Sequence, residues 1–240
     1  MQQKKQLPAA PLLRRRLHSR RRCAIIQATI MSSRPAGAVK GAIAVVICVY
    51  GASSQNLHPD YFIGVEQLGR AMGRRGHALL FGGGQRGLMG AAARGVKAEN
   101  GRVIGVAPRF FDVDGVLYPH CDEFLYTDTM RQRKQLLEER ADAFVAVPGG
   151  LGTFDELFEI LTLKQLGLHG KPVALLNLRG YFDPLLALLE HGMAEGFLRT
   201  DCRALWASFR QPEALLDWLE GYQPDTRLYK DLRDEPGVPS

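Results

Sequence analysis

Cysteine is scarce in this 240-residue chain. The four present, Cys23, Cys48, Cys121 and Cys202, form no C-x-x-C pair and have no histidine at ligand spacing. That argues against a disulfide framework or a zinc site and fits a reducing compartment, the cytoplasm. No apolar run approaches the roughly 20 residues that span a bilayer, so no membrane partner is expected. Three chemical signatures are missing too: the G-x-x-x-x-G-K-S/T of P-loop NTPases, the G-x-S-x-G nucleophile elbow and the H-E-x-x-H zinc helix. Acid is missing from one region only. Residues 1–40 hold ten lysines and arginines and no Asp or Glu, which leaves 21 basic against 25 acidic residues over 41–240. The formal charge of +6 therefore belongs to the arm, and the remainder is net −4. Bulk positive charge does not explain what residues 41–240 do, and a nucleic-acid-binding reading would have to rest on the arm.

The arm itself has three readings. Arg20-Arg21-Arg22, then the apolar Cys23–Met31, then Ala36-Gly-Ala38 loosely imitates the three parts of a signal peptide, although Gln27 and Thr29 interrupt the apolar part. The other two are a disordered basic arm and an over-long start with Met31 as the true initiator. The arginine runs could also bind nucleic acid without sequence preference.

What is present is an ordinary globular composition, 46% hydrophobic and 23% charged. Ala42–Tyr50 is a continuous β-branched apolar run, as expected of a strand buried on both faces. Pro59–Arg75 predicts a helix, with Phe62, Val65, Leu68 and Met72 at helical spacing. Further strands are expected at His77–Phe81, Arg102–Ala107, Phe124–Thr127, Ala143–Val147 and Val173–Asn177. Helices are expected at Leu88–Glu99, Thr129–Ala141, Phe154–Leu166, Pro184–Glu195 and Pro212–Leu219, while residues 109–122 read as irregular. This alternation predicts a single three-layer Rossmann-like α/β domain over 41–221 with a mostly parallel sheet, followed by a loosely held tail over 222–240. Ligands in such a sheet bind outside the carboxyl ends of the strands.

Three segments there could carry chemistry. Pro148-Gly149-Gly150-Leu151-Gly152-Thr153-Phe154-Asp155-Glu156 follows a strand and opens a helix, so its glycines let a phosphate approach first-turn N–H groups. The competing reading is local: Thr153-x-x-Glu156 also fits a capping box. The second segment, Gly82-Gly83-Gly84-Gln85-Arg86-Gly87, matches G-x-G-x-x-G but lacks an acid at the end of the next strand. It reads either as a second backbone cradle for part of a nucleotide or as a structural glycine turn, and not as an NAD site. The third, Met130-Arg131-Gln132-Arg133-Lys134, opens a helix that Asp128 or Thr129 would cap. This lets Arg133 face the same crevice as Glu156, while Lys134 could simply pair with Glu138.

Together, M-x-x-R-K at Met130–Lys134 and P-G-G-x-G-T-x-x-E at Pro148–Glu156 resemble the Lonely Guy family of cytokinin-activating phosphoribohydrolases, often mislabelled lysine decarboxylases. Tyr50-Gly-Ala-Ser-Ser54, Phe81-Gly-Gly-Gly84, Gly87-Leu-Met-Gly90 and Lys171-Pro-Val-Ala-Leu-Leu-Asn177 extend the resemblance over about 42–220. It implies a homodimer that hydrolyses a nucleoside 5′-monophosphate, N6-prenylated AMP and/or AMP, to free base and ribose 5-phosphate, with neither metal nor cofactor. By motif position Arg133 and Glu156 would be catalytic. Gly149, Gly150, Gly152 and Thr153 would hold the phosphate, with Lys134 and Asp155 nearby. Ser53, Gly83, Gly84, Met89, Leu151 and Thr162 would complete the substrate site. The stretch 110–122 departs from the family pattern, so no substrate contact is assigned there. Lysine decarboxylation is disfavoured because it needs a Schiff-base lysine, and Lys134 is the only lysine placed near the site. The runner-up is a non-catalytic carrier, since the fold also resembles molybdenum-cofactor carriers that use a similar glycine cradle.

Overall fold

The computed structural model describes residues 44–224. The basic arm, the start of the Ala42–Tyr50 run and the tail beyond Pro224 lie outside them. Seven strands run through the described residues: β1 (Val46–Tyr50), β2 (Ala78–Phe81), β3 (Val103–Pro108), β4 (Glu123–Thr127), β5 (Ala143–Ala146), β6 (Val173–Leu176) and β7 (Ala207–Phe209). Six helices alternate with them: α1 (Pro59–Arg74), α2 (Gly87–Ala98), α3 (Met130–Arg140), α4 (Leu151–Gln165), α5 (Asp183–Ala194) and α6 (Pro212–Glu220).

The strands form one parallel sheet in the order β4-β3-β2-β1-β5-β6-β7, with Val46 opposite Ala78 on one side of β1 and Ile47 opposite Ala143 on the other. The winding direction reverses between β1 and β5, which opens a crevice above their carboxyl ends. Successive strand residues alternate between two buried faces. Ile47, Val49, Leu79 and Val145 pack under α1, α2 and α6, whereas Cys48, Leu80, Val106 and Phe144 pack under α3, α4 and α5. Both layers are apolar, so the strands show continuous hydrophobicity rather than period-two alternation. Helices α1 and α2 approach closely: a Cβ on Gly69 would overlap the carbonyl of Ala92, and one on Gly95 that of Glu66.

The three-layer α/β architecture agrees with the expectation from the sequence. β7 was not foreseen, because three residues are too few to show a pattern. Helix α4 starts at Leu151, three residues before the expected start. Gly150 takes the N-cap position in extended conformation, with no side chain capping the helix, and the chain turns straight into α4. No helix among the described residues is long and apolar enough to cross a membrane.

Candidate active site at the sheet switch point

A cavity of about 440 Å³ lies in the crevice, bordered by Gly51–Ser53 after β1, Gly82 and Gly84 after β2, the first turn of α3, and Gly150–Thr153 with Asp155 and Glu156 of α4. Its floor is an ion pair. Thr129 caps α3 through a reciprocal box with Gln132, so the helix starts at Met130 and turns Arg133 and Leu137 toward the sheet. Arg133 Nη1 donates to Glu156 Oε1 at 2.7 Å, and Nε donates to the carbonyl of Val106 at 3.3 Å. Both side chains are about nine-tenths buried.

Gly82 makes room for this arrangement, because a Cβ there would overlap Arg133 Nη2. Burial pushes the Glu156 carboxyl above the usual carboxylate range, and the charge and hydrogen bond of Arg133 offset part of that rise. Cys48 and Tyr50, on the same face of β1, are also pushed up by burial and stay neutral at ordinary pH. The pair thus sits over an uncharged layer.

The capping reading of Glu156 fails: Gly150 is the N-cap, Thr153 lies inside the helix, and Glu156 reaches Arg133. The bland reading of Lys134 also changes. Its Nζ bridges to Asp155 at 3.1 Å and Glu159 at 2.8 Å on α4, rather than to Glu138. Ser53, Gly84, Met89, Arg133, Gly150, Leu151, Gly152, Thr153, Asp155 and Glu156 all border the cavity.

Four other residues do not border it. Lys134 is held on the outside by its ion pairs. Gly83 has φ of +77° against the Phe124 ring, and its carbonyl accepts from Tyr118 N–H. Gly149 packs against Thr153 and the backbone of Ala52. Thr162 is exposed farther along α4.

The Gly82–Gly87 loop divides its two readings. Gly84 faces the cavity, while Gly87, at φ of +62° with no space for a Cβ beside Ala52, is a packing glycine.

Phe111, Val116 and Leu117 border the cavity although nothing in the sequence singled them out. The loop that carries them runs beside the glycine loop: Leu117 bridges Gly84, Gln85 N–H donates to Val116, and Tyr118 N–H donates to Gly83. Only this tertiary pairing makes the loop a wall. The cavity therefore has a backbone side rich in N–H groups and an apolar side formed by Met89, Phe111, Val116, Leu117 and Met130.

Three comparisons set this chain beside known proteins. The sequence model of a family described as "Possible lysine decarboxylase" matches residues 89–219. A probable cytokinin riboside 5′-monophosphate phosphoribohydrolase of Oryza sativa subsp. japonica is 40% identical over 186 residues, covering 78% of this chain and 82% of its own. A cytokinin riboside 5′-monophosphate phosphoribohydrolase of Arabidopsis thaliana is 38% identical over 178 residues, covering 74% and 84%. Among solved structures, a molybdenum cofactor binding protein of Rippkaea orientalis superposes with a TM-score of 0.59 at 23% identity, covering 75% of this chain and 97% of that one; this likeness is one of fold. On sequence, the chain belongs to the Lonely Guy family of cytokinin riboside 5′-monophosphate phosphoribohydrolases, the family whose model is described as possible lysine decarboxylases.

Proposed function

We propose that the protein hydrolyses the N-glycosidic bond of a nucleoside 5′-monophosphate, N6-prenylated AMP and/or AMP, releasing the free base and ribose 5-phosphate. The observation that carries this reading is the buried Arg133–Glu156 pair at 2.7 Å on the floor of the switch-point cavity. The phosphate lies against the N–H groups of Gly150, Leu151 and Gly152 at the start of α4, where the helix dipole favours an anion. The base lies along the Met89, Phe111, Val116 and Leu117 wall. Between them the ribose C1′ faces Glu156.

As the C1′–N bond breaks, its electron pair leaves with the base, and the ribosyl ring gains oxocarbenium character that the carboxylate stabilises. Water then adds its oxygen to C1′, Glu156 takes a proton from it, and a proton reaches the departing base nitrogen. Arg133 keeps Glu156 oriented and lowers the cost of its charge in a buried site.

Lysine decarboxylation does not fit these residues. Lys134 is tied into two ion pairs that hold its ammonium above the usual range, the reverse of what a Schiff base needs. Lys164, which burial pulls down to about 8, donates to the carbonyl of Leu205 and does not border the cavity.

The homodimer belongs to the same proposal. Leu151, Asp155, Phe158 and Thr162 lie along one exposed face of α4, with Leu151 at 88% exposure beside the cavity mouth. A second copy seated there would cover the exposed Leu151 and Phe158 side chains and bring Thr162 toward a site.

The test is a panel of AMP, N6-isopentenyl-AMP, GMP and CMP incubated with purified protein, with free base followed by chromatography. Base release from the adenine nucleotides is expected. Tight binding without release would favour a carrier of the same fold instead.

A further inference from the structure

The segment after β6 plays no part in the reading above, yet it reaches the glycine cradle. Asn177 is 3% exposed, and hydrogen bonds hold both its backbone and its side chain. Its N–H donates to Phe209 O at 2.7 Å, its Oδ1 accepts from Phe182 N–H at 2.7 Å, and its Nδ2 donates to Asp183 Oδ1 at 2.6 Å. A satisfied network in a low-dielectric interior is rigid, so the turn from Asn177 to Asp183 is fixed in place. From that turn Tyr181 extends, edge-on to Tyr61 and Phe182, and its hydroxyl donates to the carbonyl oxygen of Gly149.

We propose that Tyr181 is a positioning residue: its hydroxyl latches the Gly149–Gly150 peptide so that the Gly150 N–H stays turned toward the phosphate of the substrate. The inference rests on the function proposed above. In a planar trans peptide the carbonyl and the following N–H point in opposite directions. The described residues contain no cis peptide bond. With Tyr181 holding the Gly149 oxygen on the side away from the cavity, the Gly150 N–H is aimed to the side where Gly150, Leu151 and Gly152 border it.

The latch is needed because the cradle is made of glycine. Nothing lies within 4 Å of the place a Gly150 Cβ would occupy, so on that side of the peptide no side chain resists its rotation, and only the Gly149 side is close-packed. Glycine's backbone freedom would otherwise spread that peptide over several orientations, and a ligand that needs one of them binds more weakly in proportion. Donors fixed before the substrate arrives need no reorganisation.

The experiment uses the full chain with Tyr181→Phe, which removes one oxygen and keeps the ring, and with Tyr61→Phe as a control that removes the neighbouring hydroxyl. KM and kcat are measured with AMP and N6-isopentenyl-AMP, inhibition with ribose 5-phosphate and with free adenine, and folding by Tm. Tyr181→Phe is expected to raise KM and the ribose 5-phosphate inhibition constant together, by about 3- to 10-fold, the worth of one neutral hydrogen bond. Turnover is expected to stay within about twofold, with inhibition by adenine and the acid limb of the pH–rate profile unchanged. Tyr61→Phe should match wild type. Unchanged binding of ribose 5-phosphate by Tyr181→Phe overturns the latch, and so does an equal weakening of adenine and ribose 5-phosphate. A wild-type protein that releases no base from either nucleotide overturns the reading of the site, and the latch with it.

Discussion

The two ends of the sheet hold cavities of nearly equal size, about 440 Å³ above the carboxyl ends of the strands and about 470 Å³ at the opposite end. Volume does not tell them apart; polarity does. At the carboxyl end the helices begin, so N–H groups and positive dipole ends face the space. At the other end they finish, and the ionisable groups are engaged by the protein itself. Asp142 accepts from Val46 N–H at 2.8 Å, Glu220 meets His77 at 2.8 Å and Arg75 at 3.3 Å, and Lys171 donates to the carbonyl of Glu138 at 2.6 Å. An anionic substrate therefore has a place at one end only. The comparison teaches that helix direction, set by parallel βαβ winding, selects the site before any particular side chain does.

The largest expected effect that bears on this contrast comes from Glu156→Gln. The variant should keep binding ribose 5-phosphate while kcat falls by about 10²- to 10⁴-fold, the usual worth of a positioned acid–base carboxylate. Near-normal turnover would remove the carboxyl end's claim to be the active site.

Next is Gly82→Ala, whose Cβ displaces the Arg133 guanidinium. A misplacement on that scale is worth about 10- to 100-fold in kcat. Because Arg133 opposes the burial-driven rise of Glu156, moving it away raises the carboxyl further. The reaction needs the carboxylate, so rate is lost as pH falls through the Glu156 pKa. The acid limb is expected above the ordinary carboxylate range in wild type and at still higher pH in the variant.

Phe111→Ala tests the apolar wall. KM for N6-isopentenyl-AMP should rise about 3- to 10-fold, more than for AMP, with kcat little changed.

The smallest effect on activity is expected from Lys164→Met, on the same helix as Glu156 but engaged with Leu205 and Tyr222. Turnover should stay within about twofold. Stability should instead lose a pH dependence. Burial lowers Lys164 to about 8, so between about pH 8 and the ordinary lysine value the unfolded chain binds the extra proton. Wild-type stability therefore rises with pH over that window. Melting curves across pH 7–11 should show the rise in wild type and its absence in the variant; a large loss of activity would break the distinction between the two ends.

What the sequence made legible followed from local chemistry. Continuous apolar runs gave the strands, helical spacing gave the helices, and three glycines between strand and helix marked the cradle. The resemblance and the expected geometry of the sheet pointed to the same two residues, Arg133 and Glu156, which the structure brings together. What escaped depended on tertiary contact. Phe111, Val116 and Leu117 become a wall only when their loop pairs with Gly84 and Gln85. The partners of Lys134 lie on another helix, and Glu156 cannot be told from a capping residue until the helix start is known. Tyr181 sits 32 residues from the carbonyl it holds, with no local pattern to announce it.

The Arg133–Glu156 pair spans 23 residues, within one helix–strand–helix stretch from Thr129 to Gln165, and Lys134 ties its two helices together through Asp155 and Glu159. Phe111, Val116 and Leu117 of the apolar wall come from a separate loop earlier in the chain. On the proposed function, bond cleavage and most of the contact with the base are thus encoded in different pieces of sequence. Mutation can drift the loop toward a new base while the cleaving stretch stays intact, and an exchange of residues 109–117 between relatives would transfer selectivity without rebuilding the catalyst.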